Sequence, residues 1–387
     1  MNENENAWIG NAFAGLEDPR QAMNQRHKFV DVLVIAICAA ICGADDWESV
    51  ATFGQAKEKW FRTFLELPNG IPSHDTFWRI FRWLDPEQFQ RCFLRWMGAI
   101  AQVTEGEVVA LDGKQLRRSF DTQSDKAAIN MVSAWASSNR LVLGQRQVDA
   151  KSNEITAIPQ LLEALMIKGC VVTLDALNCQ TKTAEVIVEK EADYLLALKA
   201  NHPLLHEDVA QLFDMLAEDV TKQAHYTFAH DYAKTVDKGH DRIEVRQIWT
   251  IDDPALIANL RTAEQWPHLA TLIKVQAERY LDGRASLHTR YYLSSLRAPA
   301  AELLAKVRAH WSIENSLHWV LDIAFREDES RLRKDFGATN FAILRHIALN
   351  LLKQEQSLKL GIKNKRLNAG WDHDYLLTIL QPILVLT

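Results

Sequence analysis

The chain has 387 residues, enough for two or three domains and a sizeable core. With 48% hydrophobic and 24% charged residues it has the composition of an ordinary water-soluble globular protein, and its one long apolar run, residues 30–43, is too short to span a bilayer. A formal charge of −6 does not advertise a general polyanion binder, but it leaves room for a local basic face. The five cysteines (Cys38, Cys42, Cys92, Cys170, Cys179) form no CxxC pair and no zinc spacing. They are expected to be reduced core thiols in a cytoplasmic protein. Residues 1–6 are polar and acidic, and no signal peptide is read there.

The first hundred residues read as helices. A buried helix is expected from about Phe29, after the basic cluster Arg26-His27-Lys28. Asp45-Asp46 caps the next helix, from Trp47 to Phe53, and Lys57 to Phe64 follows. Ser73 is an N-cap after a Pro- and Gly-containing turn. Phe77, Ile80, Phe81 and Leu84 then recur at helical spacing. Asp85-Pro86 starts a further helix lined by Phe89, Cys92, Phe93, Trp96 and Met97. The Ser73 helix presents His74, Arg79 and Arg82, as a DNA-recognition helix would. A plain helical bundle fits the same pattern.

The middle of the chain changes character. Residues 107–112 and 170–175 are two short apolar, β-branched runs, each closing on an aspartate, Asp112 and Asp175, at an expected turn. Strand-like runs at 128–136 and 140–148 lie between them, joined by Ser137-Ser138-Asn139. A helix from Ile158 to Ile167, with Pro159 near its start, precedes the Asp175 strand. A helix from Thr181 to Lys190 and a strand from Tyr194 to Leu198 follow it. Three strands, then helix–strand–helix–strand, is the order of a ribonuclease-H-like mixed sheet, in which the first and fourth strands are neighbours. That adjacency would bring Asp112 and Asp175 to one shared ion. Strand-like pieces at 226–228, 242–251, 269–279 and 288–293 read as a β-rich insertion. A helix from Pro299 carries Glu314 toward Ala324, and another begins at Asn340.

The central expectation is that Asp112, Asp175 and Glu314 meet around divalent metal. A phosphodiester is anionic and repels an attacking oxygen. Two divalent ions a few Å apart remove that obstacle, one serving the nucleophile and one the leaving oxygen. Mg²⁺ needs only a few carboxylates, because water and substrate phosphate complete its shell. A single strand-end aspartate is as often a turn cap as a ligand, whereas two on this strand order are more specific. His310 and His318 share the face of Glu314 at i−4 and i+4. They could contact phosphate or a metal, but satisfied polar packing is the stronger reading for each. Lys114, Arg117 and Arg118 follow the first acid, and Arg326, Arg331, Arg333 and Lys334 follow the third. If the acids converge, these would contact phosphate. Ordinary surface charge is the competing reading, above all for the run Arg326-Glu327-Asp328-Glu329.

These residues resemble a known family, the DDE transposases of the ISAs-type insertion sequences, which include the H-repeat-associated proteins. The resemblance runs nearly end to end. It is carried by Gly70-Ile71-Pro72-Ser73-His74-Asp75-Thr76, by Leu111-Asp112-Gly113-Lys114 with Leu116-Arg117-Arg118-Ser119, and by Lys151-Ser152-Asn153-Glu154-Ile155-Thr156-Ala157-Ile158-Pro159. Further matches are Ala192-Asp193-Tyr194, His310-Trp311-Ser312-Ile313-Glu314-Asn315 with Leu317-His318-Trp319, and Arg345-His346-Ile347-Ala348-Leu349-Asn350. One departure is Leu177-Asn178-Cys179-Gln180, where relatives usually show Met-Gly before Cys-Gln.

The resemblance implies an α/β fold: a ribonuclease-H-like mixed-sheet core with a β-rich insertion, preceded by an all-α N-terminal domain. It implies a helical, DNA-binding domain over 1–100, a catalytic domain over 101–355 with the insertion at about 201–295, and a basic helical tail over 356–387. It implies a triad of Asp112, Asp175 and Glu314 on two Mg²⁺ ions, with Mn²⁺ as a substitute. The implied function is metal-dependent cleavage at element ends followed by 3′-OH strand transfer into target DNA. A homodimer in the synaptic complex and a cytoplasmic, nucleoid-associated location go with it. The alternative is an inactive or domesticated DNA-binding relic.

Overall fold

The computed structural model describes residues 13–381, apart from 14, 102–103, 121–126, 149–152, 223–228, 240–241 and 282–283. The chain divides into two compact units. One gathers residues 1–102, 113–153 and 314–387; the other gathers 103–112 and 154–313. Strand β1 (Val108–Leu116) runs through both.

The first unit opens with helices α1 (Phe29–Ile41), α2 (Trp47–Ala56), α3 (Glu58–Phe61), α4 (His74–Trp83) and α5 (Pro86–Ile100). Their starts follow from their caps. Asp46 and Ser49 form a reciprocal capping box on α2. Asp85 accepts from the Glu87 and Gln88 amides at 2.8 and 3.3 Å, with Pro86 in the first helical turn of α5. Asp31, inside the buried α1, is satisfied by the Leu67 amide at 3.0 Å. Strands β2 (Ile129–Ala136) and β3 (Leu141–Gln147) form an antiparallel hairpin.

Helix α12 (Gly337–Gln354) is the centre of this unit. It packs against α1, α4, α5 and β3 and is buried from Gly337 to Leu352. Its two asparagines explain how a polar residue survives there. Asn340 donates to the carbonyls of Phe81 and Leu84 at 2.7 and 2.8 Å. Asn350 pairs with both backbone groups of Val142, at 2.9 and 2.8 Å. Buried amides are tolerated when they replace the hydrogen bonds that water would have made. Helices α11 (Trp319–Ala324), α13 (Ile362–Trp371) and α14 (His373–Leu380) complete the unit. Lys365 and Arg366 on α13 are buried. The Arg366 guanidinium donates to the carbonyls of Ala40 and Ala324, at the C-terminal ends of α1 and α11. Those are the groups a helix end leaves unsatisfied.

The second unit holds β4 (Val171–Leu174), β5 (Asp193–Leu198) and the insertion strands β6 (His230–Gly239), β7 (Arg242–Ile251), β8 (Thr271–Leu281) and β9 (Arg284–Ser294). The full strand order is β3-β2-β1-β4-β5-β9-β8-β7-β6. Its first five strands have the ribonuclease-H-like order, with β1, β4 and β5 parallel. The β-rich insertion extends that sheet: β9 pairs antiparallel with β5 through Leu195 opposite Ser294. The strand expected at 226–228 lies outside the described residues. Helices α6 (Glu154–Ala164), α7 (Thr181–Glu189), α8 (Pro203–Lys222), α9 (Pro254–Ala258) and α10 (Ala300–His310) belong to this unit. Helix α10 buries Leu303, Leu304 and Val307 against Val171, Leu195, Ile248, Ile273 and Tyr292. Helix α6 begins four residues earlier than expected, so Pro159 lies inside it. Among the described residues no helix is long and apolar enough to cross a membrane.

Candidate active site

Asp112 is not at a strand end. Strand β1 continues to Leu116, so Asp112 lies within it, while Asp175 directly follows β4. The parallel register pairs Val108 with Val171, Val109 with Val172 and Ala110 with Thr173. Asp112 stands two residues past Ala110 on β1, and Asp175 stands two residues past Thr173, just beyond the end of β4.

Asp175 is held by its own turn. Its Oδ1 accepts from the backbone N–H of Asn178 at 3.1 Å and from the Asn178 side-chain amide at 2.9 Å. The same amide nitrogen donates to Glu154 Oε2 at 3.0 Å. On the Thr173 side, His310 Nδ1 lies 2.9 Å from the Thr173 hydroxyl. Burial pulls the His310 pKa down, against the opposing charge of Asp175, which favours a neutral ring.

Glu314 opens a π-helical turn, Glu314–His318, between α10 and α11. Such turns are rare and recur at functional sites. Glu314 and His318 open and close this turn, and each can offer a ligand atom. Carboxylates and an imidazole are donors of the kind a divalent ion takes.

The first basic residue after Asp112 is committed within the fold. The Lys114 ammonium bonds to Asp322 and, at 2.7 Å, to Glu327. Burial opposes its charge, but Glu327 and Asp322 outweigh burial and raise its pKa. Glu327 is also 3.6 Å from the buried Arg345. Burial would raise the Glu327 pKa, yet Lys114 and Arg345 overcome it and hold the carboxylate ionised. Within the run Arg326-Glu327-Asp328-Glu329, Glu327 is only 3% exposed, whereas Arg326 and Glu329 pair at the surface.

The other basic candidates divide. Arg118, Arg326 and Arg331 line one cleft of about 420 Å³ with Asp45, Asp46 and Glu329. Arg117 is exposed and lies 3.3 Å from Asp328. Arg333 donates to the Arg118 carbonyl at 3.2 Å and covers the Phe120 ring. Arg82 is paired with Asp335 and lies 4.3 Å over the Trp78 ring, while Arg79 is exposed.

His318 and His346 are both buried, and burial lowers each pKa to about 4. Both are neutral at pH 7. The unfolded chain would protonate them below their ordinary 6.5, whereas the folded chain resists until about 4. Stability is therefore expected to fall as pH drops from about 6.5 to about 4. Melting temperature against pH checks this, and a flat profile across that window would contradict it.

Two family models match the chain. The description "DDE_Tnp_1-associated" covers residues 11–97, and "Transposase DDE domain" covers residues 103–351. The chain belongs to the DDE transposase family. It is 36% identical over 374 residues to the putative transposase YncI of Escherichia coli O157:H7, covering 94% of this chain and 92% of that one. The H repeat-associated putative transposase YhhI of Escherichia coli K12 is 34% identical, over 94% of this chain and 95% of its own. An uncharacterized protein in the dhlA 3′ region of Xanthobacter autotrophicus is 44% identical over 287 residues, 73% of this chain and 92% of that one. Among solved structures, a cryo-EM piggyBac transposase synaptic complex with hairpin DNA aligns over 98% of this chain and 77% of its own, at 10% identity and a TM-score of 0.42. These matches make the chain an insertion-sequence transposase, a protein that works on DNA.

The sequence alone did not single out Asn178, Glu154 or Glu327 as parts of the site. Asn178 carried a faint signal, because it stands where relatives usually have glycine. Glu327 carried none, because its partners are some two hundred positions away or lie on another helix.

Proposed function

We propose that Asp112, Asp175 and Glu314 together bind divalent metal, two Mg²⁺ ions in the reacting complex, with Mn²⁺ able to replace them. The observation that supports this is the parallel β1–β4 pairing, since Asp112 and Asp175 each follow its last pair, Ala110 and Thr173, by two residues. When bound, the ions neutralise the phosphodiester and favour an attacking oxygen.

The chain's own residues supply the frame. Asp112 is fixed by strand pairing on β1 and bridges the site, and Asp175 and Glu314 flank it. Neutral His310 and His318 add no positive charge that would compete for these acids. Arg118, Arg326 and Arg331 hold the phosphate backbone along their cleft, by contacts that set position but carry no base sequence. The reaction is hydrolytic cleavage at an element end, which leaves a 3′-OH, followed by attack of that hydroxyl on target phosphodiester. One copy on each element end makes a homodimer in the synaptic complex.

The test uses purified full-length protein, a duplex carrying the element's terminal repeat, and Mg²⁺ or Mn²⁺. Nicked products with a 3′-OH and joined products are the expected outcome. Cut but never joined DNA would replace this reading with that of a nuclease. Binding without cutting would replace it with that of a relic.

A further inference from the structure

We propose that Asn178 is a positioning residue for Asp175 and that Glu154 anchors it; the proposal rests on the reading of Asp175 as a metal ligand given above. Asn178 gives two N–H donors to one oxygen, Asp175 Oδ1, from its backbone at 3.1 Å and from its side chain at 2.9 Å. Two bonds to one oxygen fix the plane of the carboxylate. They leave Oδ2 as the oxygen for a ligand.

The amide is fixed in its turn. Its nitrogen also lies 3.0 Å from Glu154 Oε2, so two carboxylates share one NH₂ group. Turned over, the amide would set its carbonyl oxygen against two anions, so the charges decide the orientation. That orientation holds although Asn178 Oδ1 is buried and has no hydrogen-bond partner among the described residues. A side chain 1% exposed that leaves its acceptor unsatisfied is placed by its two charge-assisted bonds, not by general polar packing.

Glu154 starts α6, which packs on α7, the helix after the Asp175 turn. Asp175 is thereby tied through one amide to a carboxylate twenty-one positions earlier in the chain. This gives Asn153-Glu154-Ile155 a task that strand and helix patterning did not suggest. Groups that hold a metal ligand's orientation are worth about 10- to 100-fold in metal affinity when removed.

The experiment is a Mn²⁺ titration of the full-length protein followed by electron paramagnetic resonance, with thermal melting of each variant. Asn178→Ala keeps the backbone bond and removes both side-chain bonds. It is expected to weaken the Asp175-dependent Mn²⁺ binding about 10-fold or more, with little change in melting temperature. Asn178→Asp is expected to weaken it at least as much, because a third carboxylate replaces the donor. Glu154→Gln should weaken it several-fold, about 3-fold or more, and add nothing on top of Asn178→Ala. Glu154 is only partly buried, so its variant keeps the test open if the Asn178 variants fail to fold. Unchanged Mn²⁺ affinity in Asn178→Ala, or in Glu154→Gln if that is the only variant to fold, overturns the proposal when Asp175→Asn abolishes the same binding. If Asp175→Asn itself leaves Mn²⁺ binding intact, the ligand reading of Asp175 fails, and the positioning role fails with it.

Discussion

Asp112→Asn is expected to lower strand cleavage by at least about 10³-fold, equal to about 4 kcal/mol of barrier, with folding and end binding preserved. The substitution keeps size and shape on a strand whose neighbours on both sides are in place. What it removes is one negative charge and one acceptor oxygen, two residues past the last β1–β4 pair. A divalent ion needs both, since oxygen donors and net charge set its affinity. The loss of charge also relieves repulsion among the acids, so the melting temperature should stay level or rise slightly. Nicking of a terminal-repeat duplex in Mn²⁺, run beside a binding assay and a melt, checks all three. Cleavage retained within about 10-fold would remove Asp112 from the centre of the mechanism.

Replacing Glu327 should have the largest effect on stability. Its carboxylate lies between the Lys114 ammonium at 2.7 Å and the Arg345 guanidinium at 3.6 Å, and both Glu327 and Arg345 side chains are 2% exposed. Glu327→Leu leaves the buried Arg345 guanidinium without its carboxylate, while Lys114 keeps Asp322. Removing one partner of a buried ion pair costs about 3–5 kcal/mol, chiefly through the charge left behind. Urea unfolding should show a loss of that size. Arg345→Met in the same chain should recover part of it, because the uncompensated charge is then gone. A loss under about 1 kcal/mol would mean that the pair contributes little to holding the unit together.

Much of the architecture could be read from local pattern. Capping residues marked α2, α4 and α5, and the β-branched runs marked β1 and β4 with their order. The apolar face from Phe77 to Leu84 marked α4. These are features whose physics is contained in ten or so consecutive residues. The misreadings have a common cause in tertiary pairing. Gly113-Lys114-Gln115 looks like a turn after Asp112, but β1 runs on to Leu116. There Leu116 packs with Ile129, Met131, Ala338 and Ala342, residues far away in sequence. Lys114 reads as a free cation until Asp322 and Glu327 are seen beside it. The π-helical turn at Glu314 leaves no trace in hydrophobic periodicity, because a single widened turn does not change which residues are apolar. Asn178 gives only a faint signal for a different reason: a polar residue in a turn is expected whatever it touches.

The Arg366 contacts bear on how this protein comes into being. A guanidinium near the carboxyl end of the chain closes the end of a helix that begins at residue 29. The unit it belongs to is assembled from three separate stretches, the last of which runs to residue 387. A ribosome must therefore have passed residue 366 before the helix that begins at residue 29 acquires this partner. Copies cut short before that point by a frameshift or an early stop leave the Ala40 carbonyl without its guanidinium, a fault that cellular proteases are well placed to find.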